Sequence, residues 1–278
     1  MRSAAARDSR IIGIIPGRMA STRFPGKPLA RICGIPMIGH VYMRSKMSVL
    51  LKDVYIATCD NEISDYALSI GCKAIMTSDK HERASDRAKE AMIKIEEMTG
   101  KKTDIAVMIQ GDEPMLYPEM IDEALGPLMR DNSVLVSNLM APLKTREAED
   151  DQNAVKAVVD NRSDALYFSR EPIPSRKKAK NAKNAKNAKN AKNAVTMYKQ
   201  IAIIPFRRDM LIKFNEIAPT PLEITESVDM LRLLEHGYKV RMVPTRFEIY
   251  GVDTPADLVK VDALMADDRL FQKYRKAS

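Results

Sequence analysis

Short, continuous apolar runs alternate with longer stretches of helical spacing through the first half of the chain. Ile11-Ile12-Gly13-Ile14-Ile15 is apolar almost without interruption, as a strand covered on both faces must be. Pro36 to Val49 has helical spacing, Val54 to Thr58 reads as a second strand, and Glu62 to Ile70 as a helix closed by Gly71. Cys72 to Thr77, Ser85 to Met98 and Ile105 to Ile109 repeat the strand–helix–strand rhythm, with Gly100 ending the helix. This alternation predicts an α/β fold built on a mostly parallel sheet with helices on both faces.

The second half is less regular. Val134 to Met140, Ala154 to Val159, Ala165 to Ser169, Gln200 to Ile204 and Lys239 to Val243 read as strands. Glu223 to His236 reads as one amphipathic helix, with Ile224, Val228, Leu231 and Leu234 on its apolar face and Gly237 past its end. Gly251-Val252-Asp253-Thr254-Pro255 opens a last helix, with Asp253 or Thr254 placed to cap it. The organisation predicted is a flexible N-terminus over 1–10, a main domain over 11–270 and a C-terminal tail over 271–278. A smaller mixed lobe over 150–205 is inserted in the main domain.

Composition changes the picture in one place. The 278 residues carry a net charge of +8, with 45% hydrophobic and 29% charged residues, an ordinary globular balance. Residues 176–194 hold eight Lys and Arg and no acid, which accounts for the whole excess, and five consecutive Lys-Asn-Ala triplets begin at Lys180. A period of three builds neither a helix stripe nor a strand face, so 179–194 is expected to be an exposed linker or arm. A basic tract on a neutral body argues against a nucleic-acid-binding face. Cys33, Cys59 and Cys72 lack metal-ligand spacing, no run approaches the length of a membrane span, and the first residues lack a secretory apolar stretch. The expected location is the cytoplasm.

The chemistry concentrates after the first strand, in Pro16-Gly17-Arg18-Met19-Ala20-Ser21-Thr22-Arg23-Phe24-Pro25-Gly26-Lys27-Pro28. Three cations, two hydroxyls and two glycines at the carboxyl end of a sheet strand can wrap a polyphosphate. The Walker pattern is not met, because Pro28 follows Lys27. Asp112 and Asp253 each follow a predicted strand, and hard carboxylate oxygens there suit a magnesium ion bridging phosphates.

The loop resembles that of the CMP-Kdo synthetases, cytidylyltransferases that activate 3-deoxy-D-manno-octulosonate (Kdo) for lipopolysaccharide. The resemblance continues in family order through Gln110-Gly111-Asp112-Glu113-Pro114, Asn153-Ala154-Val155-Lys156 and Ala165-Leu166-Tyr167-Phe168-Ser169-Arg170. It ends in Pro221-Leu222-Glu223 and Gly251-Val252-Asp253-Thr254-Pro255. It implies a Rossmann-like sheet with a smaller mixed dimerisation lobe, a homodimer, and transfer of CMP from CTP to a sugar acid. Arg18, Ser21, Arg23 and Lys27 would hold the CTP triphosphate, with Pro16 and Gly17 near the base. Asp112 and Asp253 would ligate Mg²⁺, Gln110 would face nucleotide or sugar, and Glu223 would face the sugar acid. Arg18, Lys27, Asp112 and Asp253 form the catalytic set, and Gln200 and Arg87 join the substrate-binding one.

The chain departs from the family pattern at His81-Glu82-Arg83-Ala84-Ser85-Asp86-Arg87, where the family has His-x-Ser-Gly-Thr-Asp/Glu-Arg. Gln200 stands for a family His and Ile204 for a Tyr in the sugar-binding strand. Ile224 stands for a His or Gln, and Ser175 for a Trp. These changes point to Kdo or a modified acceptor such as 8-amino-Kdo. The alternatives are a relative acting on a nonulosonic acid, or a non-catalytic member binding an anionic partner through its Lys-rich arm.

Overall fold

The computed structural model describes residues 9–20, 24–175 and 196–275. The first sheet is made of β1 (Ile11–Gly17), β4 (Asp53–Thr58), β5 (Lys73–Met76), β6 (Ile105–Ile109) and β11 (Ile203–Arg207), in the order β11-β6-β1-β4-β5. Four strands run parallel, and β11 joins the edge antiparallel to β6. Alternate residues of β1 enter opposite cores: Ile12 and Ile14 go to one, Ile11 and Ile15 to the other. That division explains the unbroken apolar run, because neither face of the strand meets water.

One face is covered by α3 (Ala84–Thr99) and α6 (Arg208–Glu216), through Ala88, Ala91, Met92, Ile95 and Phe214. The other is covered by α1 (Met37–Ser45), α2 (Asn61–Ser69) and α4 (Pro118–Arg130). Gly71 and Gly100 take left-handed φ values of 69° and 64° just past α2 and α3, the conformation that ends a helix at least cost. The α/β fold with helices on both faces is as the sequence predicts.

The second sheet has the order β12-β7-β10-β8-β9, from β7 (Ser137–Pro142), β8 (Lys156–Val159), β9 (Ala165–Ser169), β10 (Tyr198–Ile201) and β12 (Arg241–Pro244). It is mixed, since β12 and β7 are parallel and the other pairs antiparallel. Its strands come from 137 to 244, so the mixed lobe is wider than the 150–205 expected. The apolar run Gln200 to Ile204 is not one strand. It breaks at Ala202, with β10 in the second sheet and β11 in the first.

Glu223 to His236 is likewise two helices, α7 (Pro221–Glu226) and α8 (Met230–Glu235), parted by Ser227 at φ 52°. Between the sheets' regular elements lie the short pair β2 (Arg31–Ile32) and β3 (Ile35–Pro36) and the helix α5 (Arg146–Asp150). The last long helix, α9 (Pro255–Ala266), is capped by Thr254, whose hydroxyl accepts from the Asp257 N–H at 3.2 Å. Beyond residue 270 the chain is packed rather than a free tail. Phe271 and Tyr274 of α10 (Phe271–Tyr274) are buried, and the Tyr274 hydroxyl meets His40 Nδ1 at 2.7 Å. At the other end, Arg10 is held through its N–H to Asp104 at 2.7 Å. Residues 1–8, the Lys-Asn-Ala arm and 276–278 lie outside the described residues.

Candidate active site

Two close contacts shape the loop that follows β1. A Cβ on Gly17 would stand 2.7 Å from Ile38 Cδ1, so any larger residue there would displace the end of the Ile38 side chain. Gly26 takes φ 73°, and its N–H returns to the Met19 carbonyl at 3.1 Å. Met19 N–H is in turn held by Asp60 at 2.8 Å. The loop therefore closes on itself and delivers Lys27, the first residue of a 3-10 turn, to the carboxyl ends of the strands.

Lys27 Nζ lies 3.0 Å from Asp112 Oδ2 and 3.4 Å from Asp253 Oδ1, and donates to the Val252 carbonyl at 2.9 Å. The acid-bearing loops are themselves joined, because Val252 N–H donates to the Asp112 carbonyl at 2.9 Å. Two carboxylates 141 positions apart in sequence thus converge on one cationic centre. This is a test of fit for a divalent cation. Oxygen donors already surround a positive charge, and both acids keep partial exposure, at 29% and 37%. No group of three or more His, Cys, Asp or Glu gathers for a metal among the described residues, so ligand oxygens and water would complete the shell.

Glu113 lies behind Asp112, with its carboxyl buried. Burial, and then the charge of Asp112, push its carboxyl up to about 7. Its Oε1 accepts from the Ala202 N–H at 3.4 Å, while Oε2 is buried with no hydrogen-bond partner among the described residues. Sequence reasoning noted Glu113 within its motif but gave it no role.

Lys27 and Asp112 open into a cleft of about 770 Å³. Pro16, Gly17, Arg18, Arg83, Arg87 and Gln110 line it. Arg87 is buried in the wall, with Nη1 on the Thr77 hydroxyl and Nη2 toward Cys59 Sγ at 3.5 Å. His81, Glu82 and Arg83, absent from the expected set, line the same wall. The signal for them was present, since this segment is where the chain departs from the family pattern. A second hollow of about 500 Å³ lies elsewhere, lined by Lys102, Asp104, Arg207, Arg208 and Lys213. Arg207 and Arg208 are committed there, to backbone carbonyls and to Glu96, so that hollow offers few free charges.

Glu223 and Gln200, expected at the substrate, are not in the cleft lining, and neither is Ile204. Glu223 does not face the cleft. It is fully buried, gripped by Arg232 through two 2.6 Å hydrogen bonds, with Arg83 Nη1 3.2 Å from the same Oε1. A buried carboxylate needs such pairing, so Glu223 supports a wall residue instead of a substrate. Gln200 is outside the cleft lining, its amide donating to Asn138 Oδ1 at 2.6 Å within the second sheet. Ile204 is buried in β11 against the first core and is no sugar-facing position. Ser21 and Arg23 lie outside the described residues.

A cytidylyltransferase family model matches residues 12–241, a span that includes Lys27, Asp112 and the whole cleft lining. The chain belongs to the cytidylyltransferase family. Over 252 residues it is 42% identical to the 3-deoxy-manno-octulosonate cytidylyltransferase of Geobacter metallireducens, covering 91% of this chain and 96% of that one. The mitochondrial enzyme of that description from Arabidopsis thaliana is 38% identical, over 93% of this chain and 84% of its own. The solved structure of CMP:2-keto-3-deoxy-manno-octonic acid synthetase complexed with CTP superposes with a TM-score of 0.82 at 37% identity, covering 93% and 99% of the two chains. This cytidylyltransferase has no helix long and apolar enough to cross a membrane among its described residues.

Proposed function

We propose that the chain transfers CMP from CTP to the 3-deoxy-ulosonic acid Kdo, releasing pyrophosphate, in the biosynthesis of lipopolysaccharide. The observation that carries this reading is the convergence of Asp112 and Asp253 on Lys27, beside a cleft that Lys27, Asp112, Arg18 and Gln110 line. Relatives bearing this activity in their names match nearly the whole chain. The CTP-bound synthetase supports the nucleotide half of the reading.

In the free protein Lys27 neutralises two carboxylates that would otherwise repel each other. On binding, the triphosphate lies across the loop after β1, where Arg18 and Lys27 offset its charge. Lys27 exchanges its carboxylate contacts for phosphate oxygens, and Asp112 and Asp253 become available to hold Mg²⁺. Bound there, the ion supplies charge neutralisation to the α-phosphate and the departing pyrophosphate. Gln110 orients substrate from the carboxyl end of the neighbouring parallel strand β6. The anomeric hydroxyl of the sugar acid then attacks the α-phosphorus in line, and the cationic loop stabilises pyrophosphate as it leaves. No protein nucleophile is required. A homodimer and cytoplasmic operation are part of the same proposal, by analogy with the family.

Pyrophosphate release with CTP and Mg²⁺ against Kdo, 8-amino-Kdo and nonulosonic acids tests the reading. Turnover with Kdo, lost in Asp112→Asn, is the expected result. Turnover with a nonulosonic acid alone would move the chain to the alternative acceptor. Silence without CTP binding would make it a non-catalytic member.

A further inference from the structure

Arg83 breaks a local rule. It is the N-cap of α3, a 16-residue helix, yet its side chain caps nothing. A cation at a helix N-terminus opposes the helix dipole, where Ser, Thr, Asp or Asn would satisfy a free N–H. The gain must lie elsewhere. Arg83 is held by acids from α7 and the start of α8: Nη1 is bonded to Asp229 Oδ1 and lies 3.2 Å from Glu223 Oε1. Ser85 Oγ fixes the other oxygen of Asp229 at 3.1 Å, and Arg232 fixes Glu223. Every contact therefore uses one nitrogen of the guanidinium. Nε and Nη2 make no hydrogen bond among the described residues, the side chain is 27% exposed, and the residue lines the substrate cleft.

We propose that Arg83 is a specificity-determining residue that reads the carboxylate of the sugar acid with this remaining edge. The inference rests on the proposed function. The clamp comes from α7 and α8, of which α8 packs on β9 of the second sheet and α7 on α8, while the cations assigned to the triphosphate belong to the loop of β1. Arg83 thus stands at the seam between the nucleotide half and the other lobe, where a second substrate has to enter. The planar fork of a guanidinium matches a carboxylate in two parallel hydrogen bonds, and an aligned fork loses little entropy in making them. Arg83 replaces the Ser of the family's His-x-Ser-Gly-Thr pattern, so this contact is a property of the present chain.

The test compares wild type, Arg83→Ala and Arg83→Lys in four readouts: KM for the sugar acid, KM for CTP, the Ki of the sugar acid's C1 amide, and Tm. Arg83→Ala is expected to raise the sugar-acid KM at least about tenfold, the size of a lost charge-assisted pair. CTP KM and the amide Ki should stay within roughly twofold, because neither involves the fork. Arg83→Lys should recover Tm without recovering the sugar-acid KM. An equal rise in acid KM and amide Ki would mean a collapsed wall and overturn the assignment. A rise in CTP KM alone would overturn it in favour of phosphate contact, and an unchanged acid KM would overturn it outright. A wild type silent with every acid would overturn the functional reading and this assignment together, whereas an active wild type isolates Arg83.

Discussion

The two sheets of this molecule use polar groups in opposite ways. In the first, the central strands β1 and β6 carry no charged residue, and the charged side chains of the cleft stand past their ends, as Arg18, Lys27 and Asp112. The second carries polar groups inside. Lys156 is fully buried, with its ammonium on the carbonyls of Asp151 and Arg170 at 2.6 and 2.8 Å. Asn138 is buried in β7 and donates to the carbonyl of Ile201. Arg241 and Lys239 reach the largely buried Asp164. A buried polar group without its partner costs far more than the pair gains, so such contacts fix geometry. The charges past the ends of β1 and β6 border the cleft, and those inside the second sheet are spent on its own chain.

Substitutions can break that contrast or sharpen it. The largest effect is expected at Asp112. Asp112→Asn should lower kcat by about 10³-fold, roughly 4 kcal/mol of transition-state stabilisation, with Tm unchanged. A shifted Tm with activity preserved would mean that the strand-end acids are structural after all.

Next comes a buried group on the far side of the first sheet. His40 is fully buried on α1 between the Tyr274 hydroxyl and the Ile32 carbonyl, and burial chiefly lowers it to about 4. The fold therefore favours the neutral ring. Between pH 6.5 and 4 the unfolded chain binds more protons, so stability rises with pH across that window and is lost on acidification. The loss should approach 3 kcal/mol from the size of that shift. His40→Gln, compared by urea melts at pH 4.5 and 7, should flatten the slope; an unaltered slope would assign it to the carboxylates.

The smallest effect is expected at Lys156. Lys156→Met removes the ammonium and leaves two carbonyls unpaired, at a cost of about 2 kcal/mol. Turnover per folded molecule should fall by less than about threefold. A kcat loss as large as that of Asp112→Asn would erase the distinction between the sheets.

What the sequence made legible follows the same division. The first sheet could be traced because a strand covered on both faces must be apolar throughout, and because Gly71 and Gly100 marked where the helices stop. Its candidate residues at Pro16, Gly17, Arg18, Lys27, Gln110 and Asp112 come together for the same reason: strand ends are shared neighbours in a parallel sheet. Helix α4 escaped notice because Gly126 and Pro127 interrupt its pattern, yet both sit inside it. The apolar spacing from Ile224 to Leu234 implied one helix, but Ile224 is 64% exposed and the chain turns at Ser227. The spacing of a few apolar residues does not reveal where the backbone leaves the helix. Glu223 misled for a different reason. Its partners Arg83 and Arg232 lie 140 positions before it and nine after, and nothing local announces a buried ion cluster.

Ala202 has a mechanical consequence. It is the single residue between β10, in one sheet, and β11, in the other. Its carbonyl accepts from the Gln110 N–H at 3.1 Å and its N–H approaches Glu113 Oε1 at 3.4 Å, so the crossing point is clasped on both sides by the segment that carries Asp112. This crossing is one joint between the sheets, and the Val136–Phe206 bridge is another. Rotation of one sheet against the other would load this crossing, and with it the segment that carries Asp112.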